Sequence, residues 1–532
     1  MHAEITRVKI DYDVPDTFNM ATILVDNHVD QGRGDRVAIY FGDEAITYRE
    51  LQQRSNRAGN MLRARGTEIE NRVVLLIADR PQFVETFLGT MKLGAVPVPI
   101  NVISTPSEIA YFLDDSRAKA IVVDAAFAAT VAGIAAERRY LKHVFVVGDE
   151  AIRPTSTVAY HSYDAEVAAA SDKLETEPTS KDDQCYWLYS SGTTGQPKGV
   201  VHCHRDQVHC AGRWLEQVWQ PMAEDITYSA SKLAFSYGLG NSLWMPLMSC
   251  TAMVLVPDAS SPQVVASTLK RYRPTTFYSV PTLYNMILRQ QEAGTIDLDT
   301  SSLRMCVSAG EMLPAAIYQR WCDAFGIEIL DGIGSTEDGN IYIQNMPGRV
   351  RAGSSGEIVD GYAVRILDEN GQSVPDGETG ELFLNSESMA WSYWRKRDRS
   401  RDTFRGDWMK TGDRYRRDPD GYYYYIGRAD DVFKTGAQWV SPVEVEGVLL
   451  RHPAVAEVAI VGCDDTDGLT KPKAYVVLKP GNTGDDALVV ALQDHSKAEL
   501  APDYYKYPRW IDFVTEIPKT ATGKIQRYKL RG

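Results

Sequence analysis

The sequence predicts an α/β protein with a large N-terminal domain of doubly wound sheets, a small β-rich subdomain, and a smaller, mobile α+β C-terminal domain. Short β-branched runs alternate with longer amphipathic runs through most of the chain, which is typical of parallel sheets covered by helices. Between about 350 and 427 the sequence pattern changes to short predicted strands separated by frequent Gly, Asp and Pro. The 532 residues also exceed what one hydrophobic core usually supports, so more than one folding unit is expected.

The first elements follow from local signals. TYRELQQRSNRAGNMLRARG, residues 47–66, predicts a helix because Thr47 and Glu50 have capping-box spacing and Gly66 closes the pattern. NRVVLLIAD at 71–79 predicts a buried strand, and RPQFVETFLGTMKLG at 80–94 predicts the next helix. KAIVVD and HVFVVG are expected to be further strands of the same sheet.

The alternation resumes after residue 250. Predicted strands and helices follow each other in the order TAMVLV, a helix near 262–272, TTFYSV, the helix PTLYNMILRQQEAG, LRMCVSAG, a helix near 314–325 and EILDGIG. Past 428 a βα pattern returns, with a helix near 442–451 and the strands AEVAIVG and KAYVVLK. We therefore predict two domains, 1–428 and 429–532.

Composition excludes several classes of function. The net charge of −14 argues against nucleic acid or an anionic membrane as a partner. The apolar runs are far too short to span a bilayer, and the N-terminus lacks the apolar core of a signal peptide. Seven cysteines without a CxxC pair do not suggest a disulfide framework. We expect a soluble, cytoplasmic protein, and whether it forms a homodimer stays open.

YSSGTTGQPKG at 189–199 predicts a phosphate-binding loop. Its glycines allow backbone N–H groups to approach an anion closely, while its hydroxyls and Lys198 add donors and positive charge. A Walker A loop requires Ser or Thr directly after the lysine, whereas Gly199 follows Lys198 here. A P-loop ATPase is therefore disfavoured, and a flexible surface turn is the alternative interpretation.

Four further motifs follow in order: GSTE at 334–337, TGD at 411–413, GRADDVFKTG at 427–436 and PKTATGKIQR at 518–527. Each has an ordinary explanation on its own, namely a helix cap, a turn, a solvated linker and a basic tail. Together with the phosphate loop, in this order and spacing, they resemble the acyl-adenylate-forming superfamily of acyl-CoA synthetases, luciferases and peptide-synthetase adenylation domains. The likeness covers about 185 to 530, and the residues before it fit in length and pattern.

The resemblance implies ATP, Mg²⁺ and CoA as cosubstrates and cofactor. It implies that Thr336 contacts the α-phosphate, that Glu337 ligates Mg²⁺, and that Lys524 bridges the substrate carboxylate and the α-phosphate. The hinge of the C-terminal domain maps onto Asp430, and Lys434 and Gly436 would lie beside the CoA tunnel after that domain rotates. The remaining implied nucleotide contacts are, for the phosphates, Ser190, Ser191, Gly192, Thr193, Thr194, Gly195 and Lys198, for the adenine, Gly310, Glu311, Asp331 and Ile333, and for the ribose, Asp413 and Arg428.

Within the superfamily, FSYGLGN at 235–241, DGIGSTE at 331–337 and QWVSPVEVE at 438–446 resemble benzoate-type aryl-CoA ligases. The implied substrate is a small aromatic carboxylic acid, activated as an acyl-adenylate and transferred to CoA. The implied acyl pocket comprises Ser236, Tyr237, Gly334, Asn340 and Ile341.

Two pocket residues depart from the benzoate pattern, since Ser236 stands where Ala is usual and Asn340 where His is usual. A ring bearing oxygen or nitrogen, such as a hydroxybenzoate, aminobenzoate or furoate, is consistent with these polar groups, and drift around unsubstituted benzoate is the alternative. An alicyclic or fatty acid, a carrier-protein thiol as acceptor, and a non-catalytic nucleotide-binding protein are rival hypotheses. The cluster HCHRDQVHC at 202–210 invites zinc, but no second ligand pair with finger-like spacing follows it. Packing or hydrogen bonding of His204 near the nucleotide loop is the favoured interpretation of that cluster.

Overall fold

The computed structural model describes residues 12–149, 157–190, 196–436, 438–519 and 525–531. Its strands are β1 (Val37–Phe41), β2 (Glu44–Thr47), β3 (Arg72–Leu76), β4 (Val96–Pro99), β5 (Ala120–Asp124), β6 (His143–Val147), β7 (Ala159–Ser162), β8 (Gln184–Ser190), β9 (Lys198–Cys203), β10 (Ile226–Ser229), β11 (Ala252–Val254), β12 (Thr276–Ser279), β13 (Met305–Ser308), β14 (Ile329–Gly334), β15 (Ile341–Gln344), β16 (Glu357–Ile358), β17 (Ala363–Leu367), β18 (Gly380–Asn385), β19 (Ser392–Tyr393), β20 (Phe404–Arg405), β21 (Trp408–Arg417), β22 (Tyr423–Arg428), β23 (Phe433–Thr435), β24 (Gln438–Val440), β25 (Val455–Asp464), β26 (Thr470–Leu478) and β27 (Trp510–Phe513).

The α-helices are α1 (Tyr48–Ala64), α2 (Pro81–Lys92), α3 (Pro106–Ser116), α4 (Ala125–Ala135), α5 (Tyr163–Ala169), α6 (Asp206–Trp214), α7 (Ser236–Leu239), α8 (Met245–Ser249), α9 (Pro262–Tyr272), α10 (Pro281–Glu292), α11 (Ala315–Phe325), α12 (Arg397–Thr403), α13 (Pro442–Leu449) and α14 (Asp486–Glu499). Wider π-helical turns occur at Thr22–Asp26, Val29–Arg33, Leu215–Trp219 and Gly240–Trp244, and short 3₁₀ turns at Tyr504–Lys506 and Arg527–Lys529. The predicted capping box is present, because Thr47 and Glu50 bond each other reciprocally at the start of α1.

The chain divides into two compact units. Among the described residues, the first unit takes those within Met1–Ser190, Pro197–Ala363 and Asn385–Met409, and the second takes Gln196 and those within Val364–Leu384 and Lys410–Gly532. The predicted domain boundary at 428/429 stays a prediction, as does the hinge at Asp430.

The first unit contains two large sheets. One has five parallel strands in the order β4-β3-β5-β6-β7. The other has nine strands in the order β16-β15-β14-β13-β12-β10-β11-β1-β2, parallel from β14 to β1 and antiparallel at both ends. Helices connect the parallel strands, so the predicted doubly wound α/β architecture is confirmed. A smaller sheet of the same unit, β19-β9-β8, carries the flanks of the predicted phosphate loop.

The second unit is built mainly from antiparallel strands. Strands β17, β18 and β21 form one sheet, with β22 paired antiparallel to β21, and β25, β26 and β27 form another. A core of aliphatic side chains from α13, β25 and β26 packs this second sheet against α13 and α14. None of the helices in the described parts of the chain has the length and hydropathy of a membrane-spanning segment.

Candidate active site

The β8–β9 hairpin positions the two ends of the predicted phosphate loop. Ser190, the last residue of β8, lies directly opposite Lys198, the first residue of β9, in an antiparallel register. The intervening residues Ser191, Gly192, Thr193, Thr194 and Gly195 lie outside the described residues, as does Lys524. Their roles stay predictions.

Glu337 is the centre of a polar cluster beside this hairpin. Its Oε1 accepts hydrogen bonds from the Ser190 hydroxyl at 3.2 Å and from the Tyr393 hydroxyl at 2.8 Å. The Lys198 ammonium lies 4.1 Å from the centre of the Tyr393 ring, within range of a cation–π contact. Ser190, Lys198, Thr336, Glu337 and Tyr393 are called the nucleotide wall below.

The donor set of this wall fits a divalent cation. Both side-chain hydrogen bonds of Glu337 to described residues fall on Oε1, which leaves Oε2 as the oxygen able to ligate Mg²⁺. A single carboxylate oxygen is a suitable protein contribution, because Mg²⁺ is usually completed by waters and substrate phosphates. Among the described residues, no group of three or more His, Cys, Asp or Glu is arranged to hold a metal by itself.

Tyr393 was not predicted from the sequence. It lies on β19, a strand of two residues, and reaches the wall because it pairs with Val200 of β9. The segment around it, AWSYWRK, has no strand periodicity longer than two residues and no motif. Its aromatic density is the one local signal that could have drawn attention to it.

Behind the nucleotide wall lies a buried histidine–carboxylate pair. His202 Nδ1 is 2.9 Å from Asp206 Oδ2, and His202 Nε2 is 2.8 Å from the backbone carbonyl oxygen of Thr336. Burial alone would lower the pKa of His202, but the hydrogen bonds to Asp206 and Thr336 and the charge of Asp206 raise it above its ordinary value. His202 therefore has protein partners at both ring nitrogens, which does not favour the zinc interpretation of this segment.

His204, a second histidine of that cluster, contacts Met20 rather than Thr336. Its Nδ1 accepts a hydrogen bond from the backbone N–H of Met20 at 3.1 Å, and burial lowers the pKa of its ring to about 3. It is a buried, neutral packing residue. The sequence singled out His204, whereas His202 is the histidine that contacts the predicted nucleotide site.

The residues predicted to border the adenine lie where β13 and β14 end. Gly310 follows β13 with a φ of +85°, a conformation that favours glycine, and Ile333 lies on β14. The Glu311 carboxylate accepts a hydrogen bond from Thr282 at 2.8 Å. Burial raises the pKa of Asp331 to about 8, against the opposing hydrogen bonds from Ser308 and Leu313. The carboxyl ends of parallel strands are the usual ligand-binding edge of such sheets.

The predicted acyl-pocket residues also come together in the first unit, and Ser236, Tyr237, Gly334, Asn340 and Ile341 are called the acyl wall below. Gly334 pairs with Ile341 across the β14–β15 hairpin, and a side chain added at Gly334 would collide with the backbone of Asn340. The Tyr237 hydroxyl donates to carbonyl oxygens at the ends of β12 and β13, at 3.3 and 3.1 Å.

The two unusual polar residues of the acyl wall differ in their hydrogen bonding. The Ser236 hydroxyl donates to the Gly339 carbonyl at 2.9 Å. Asn340 is buried, with a relative exposure of 3%. Neither the nitrogen nor the oxygen of its side-chain amide has a hydrogen-bond partner among the described residues. The Asn340 amide lies next to Gly240, where a π-helical turn follows α7. Of the two residues, only Asn340 keeps its full side-chain hydrogen-bonding capacity.

The predicted ribose and CoA residues lie in the second unit. Asp413 and Arg428 are register partners on β21 and β22, and Arg428 Nη1 is 3.0 Å from Asp413 Oδ1. Lys434 Nζ is 2.8 Å from Glu369 Oε1 and 4.5 Å from the centre of the Trp439 ring.

Gly436 has a φ of +62°, and Asp430 lies in the loop between β22 and β23. The neighbouring residue Asp431 is held by Arg527 and Arg531, at 3.3 and 2.7 Å. The hinge prediction therefore falls next to an anchored residue of the second unit.

Comparison with known proteins identifies the family. Residues 25–394 match the family model of the AMP-binding enzyme, and residues 444–524 match that of the AMP-binding enzyme C-terminal domain. The chain belongs to the AMP-binding enzyme family. The predicted resemblance to acyl-adenylate-forming enzymes and the predicted fold class are thereby confirmed, and the chain is an AMP-forming acid–CoA ligase by family.

Individual AMP-binding enzymes are similar to the chain over nearly its whole length. The benzoate–CoA ligase of Thauera aromatica is 42% identical over 524 residues, which cover 97% of this chain and 96% of the relative. The 4-hydroxybenzoate–CoA/benzoate–CoA ligase of Rhodopseudomonas palustris is 40% identical, covering 97% and 94%. The crystal structure of an anthranilate CoA ligase with anthranoyl-AMP has a TM-score of 0.90 at 41% identity, and 97% of each chain is covered.

Proposed function

We propose that this chain is an ATP-dependent aryl-CoA ligase, which converts a small aromatic acid, ATP and CoA into an aryl-CoA, AMP and pyrophosphate. The observation that carries the proposal is the convergence of Ser190, Lys198 and Glu337 on one wall beside the acyl-wall residues of the same unit. A wall of hydroxyl, ammonium and carboxylate groups next to acyl-wall residues that include Tyr237 and Ile341 suits a reaction between ATP and an organic acid. The names of the relatives support an aromatic acid.

In the first step a carboxylate oxygen attacks the α-phosphorus of ATP, the bond to the bridging β-phosphate oxygen breaks, and pyrophosphate leaves. Because both reactants are anionic, the protein must supply positive charge and donors. We assign Lys198 and Ser190 to the departing phosphates, the Thr336 hydroxyl to the α-phosphate, and Lys524 to the carboxylate. Mg²⁺ held by Glu337 would neutralise charge on the phosphates when bound.

In the second step the CoA thiolate attacks the acyl carbon, the bond from that carbon to the AMP oxygen breaks, and AMP leaves with the electron pair. The thiol proton goes to solvent. No protein cysteine is required as a nucleophile, because CoA brings its own thiol. We assign Lys434 and Gly436, which lie in the second unit, to this step, and Asp413 with Arg428 to the ribose in both steps.

The acyl wall favours an aromatic acid with a polar ring substituent. An unpartnered buried amide costs about 1–3 kcal/mol, and a substituent that bonds to Asn340 would remove that cost. A hydroxyl both donates and accepts, so it can pair with either amide atom. We therefore place hydroxybenzoates ahead of benzoate as substrates, with Asn340 rather than Ser236 as the discriminating residue.

The test is AMP release in the presence of ATP, Mg²⁺, CoA and one acid at a time. The panel comprises benzoate, the three hydroxybenzoates, the aminobenzoates, furoate, cyclohexanecarboxylate and octanoate. We expect AMP with the aromatic acids, in amounts equal to the CoA consumed, and the highest kcat/KM with a hydroxybenzoate.

Three outcomes would contradict the proposal. ADP in place of AMP would exclude adenylation, and AMP with octanoate or cyclohexanecarboxylate alone would exclude an aryl substrate. Adenylate formation that never passes to free CoA would point to a carrier-protein thiol as the acceptor.

A further inference from the structure

A chain of hydrogen bonds runs from α6 to the backbone of the nucleotide wall. Asp206, the first residue of α6, is hydrogen-bonded through Oδ2 to His202 Nδ1 at 2.9 Å. His202 Nε2 is hydrogen-bonded to the Thr336 carbonyl oxygen at 2.8 Å. The relative exposure of His202 is 0% and that of Asp206 is 3%. All three residues belong to the first unit, and none of the predicted nucleotide contacts includes His202 or Asp206.

The partners of His202 determine what its ring does. A backbone carbonyl only accepts hydrogen bonds, so His202 Nε2 carries a hydrogen and donates it to Thr336, while Nδ1 is paired with the Asp206 carboxyl group. The ring plane is also fixed, because it stacks on Tyr186 with centroids 4.9 Å apart and planes inclined by 7°. Asp206 is itself held, since its Oδ2 accepts a second bond from the Cys203 N–H at 2.9 Å.

The target of His202 is the turn that carries Thr336 and Glu337. The backbone of this turn is held on a second side, where the Ala390 N–H donates to the Glu337 carbonyl at 2.7 Å. Within the turn, the Gly339 N–H donates to the Ser335 carbonyl at 3.0 Å. Two consecutive carbonyls, those of Thr336 and Glu337, are therefore anchored by hydrogen bonds from other segments of the chain.

We propose that His202, oriented by Asp206, is a positioning residue for adenylate formation that fixes the Thr336–Glu337 backbone for α-phosphate and Mg²⁺ binding. The inference rests on the proposed function, because the roles of Thr336 and Glu337 belong to it. Loss of the His202 hydrogen bond leaves a buried carbonyl unpaired, so the turn shifts to find another partner. Outer partners of this kind typically contribute about 10- to 100-fold to the function of the residue they hold.

Two substitutions distinguish the roles of the two ring nitrogens of His202. In His202→Gln the amide nitrogen takes the place of Nε2 and can still donate to Thr336, whereas in His202→Asn it takes the place of Nδ1 and faces Asp206. The matched control is His204→Gln, which alters a neighbouring histidine that is equally buried and contacts Met20 instead. Melting temperatures of all three variants report on folding.

Each variant is measured in three assays with the acid that the wild type uses best. The first is adenylate formation by ATP–pyrophosphate exchange, the second is thioester formation from supplied aryl-adenylate, and the third is equilibrium binding of ATP at several Mg²⁺ concentrations. We expect His202→Asn to lower kcat for exchange by about 10- to 100-fold and to raise the Mg²⁺ requirement for ATP binding. Thioester formation should fall less, because the Mg²⁺–pyrophosphate portion is absent from that step. His202→Gln should retain most of the exchange activity, and His204→Gln should match the wild type.

The inference is overturned if His202→Asn and His204→Gln behave alike, or if His202→Asn lowers both half-reactions equally. Equal activities of His202→Asn and His202→Gln would also overturn it. If the wild type activates no acid of the panel, the proposed function fails instead. In that case an unchanged Mg²⁺ dependence of ATP binding in His202→Asn would reject the positioning role separately.

Discussion

The nucleotide wall and the acyl wall belong to the same unit, but they differ in how their polar groups are used. In the nucleotide wall, Glu337 is bonded by Ser190 and Tyr393, and Thr336 is bonded by His202. In the acyl wall, the amide of Asn340 is buried with no hydrogen-bond partner among the described residues. Side chains that are held by hydrogen bonds to other protein groups suit a ligand that all members of the family share. A buried side chain without such a partner suits a ligand that differs between members.

The largest expected effect concerns Lys524, the lysine assigned to the substrate carboxylate in adenylate formation. Lys524→Ala is expected to lower adenylate formation by about 100- to 1,000-fold, because charge developing during transfer loses its counter-charge. Thioester formation from supplied aryl-adenylate should be spared. Quench-flow measurement of both half-reactions checks the prediction, and equal loss of both would exclude the role assigned to Lys524.

The next effect concerns Glu337 and the hydrogen bond that Tyr393 donates to it in the nucleotide wall. Glu337→Gln should lower adenylate formation by about 10- to 100-fold and raise the Mg²⁺ concentration needed for half-maximal activity, because a carboxylate ligand is lost. Tyr393→Phe keeps the ring beneath Lys198 and removes one bond to Glu337, so it should cost only about 3- to 10-fold.

Magnesium titrations of both variants provide the measurement. A larger loss in Tyr393→Phe than in Glu337→Gln would show that the tyrosine, not the carboxylate, is the essential group of this wall.

A smaller effect tests the acyl wall. Asn340→Leu should lower the ratio of kcat/KM for the best hydroxybenzoate to that for benzoate by about 10-fold, since one buried polar contact is removed. Ser236→Ala is the matched comparison, and it should change the ratio by less than about 3-fold because that hydroxyl is already bonded to Gly339. A larger change of this ratio in Ser236→Ala than in Asn340→Leu would mean that the Ser236 hydroxyl bonds to the substrate instead of to Gly339.

The smallest effect concerns pH and the buried Asp331. Burial raises the pKa of Asp331 to about 8, whereas the unfolded chain loses this proton near its ordinary pKa of 3.8. The folded state therefore holds an extra proton between these values, so this contribution to stability is complete below pH 3.8 and is lost as the pH rises through 8. Melting temperatures measured from pH 6 to 9 should fall more steeply for the wild type than for Asp331→Asn. Parallel curves would contradict the raised pKa.

Local signals predicted most elements of the fold. The helix from Thr47, the helices near 262–272 and 442–451, and the strands predicted in NRVVLLIAD and KAIVVD are confirmed with small shifts at their ends. Such elements depend on caps and on hydrophobic periodicity, which neighbouring residues encode. The order of the nine-stranded sheet was not predictable in this way, because β1 pairs with β11 across more than 200 residues.

The candidate site was predicted unevenly. Motif residues such as Ser190, Lys198 and Glu337 are identified by the resemblance, and the structure gathers them. His202 appeared only in a segment considered for zinc, and Tyr393 was not predicted at all. Both residues contact partners far away in the chain, and nothing in the local sequence of either residue indicates the partner.

The resemblance to the family rests on short motifs, and the fold class rests on hydrophobic periodicity, and both are recognisable along the chain without its folded structure. Which polar groups already have protein partners depends on the folded structure. The bond from Ser236 to Gly339 spans 103 residues, and that from His202 to Thr336 spans 134. Hydrogen-bond partners at such separations depend on how distant segments pack, so a polar residue becomes a candidate for ligand contact only after its protein partners are known.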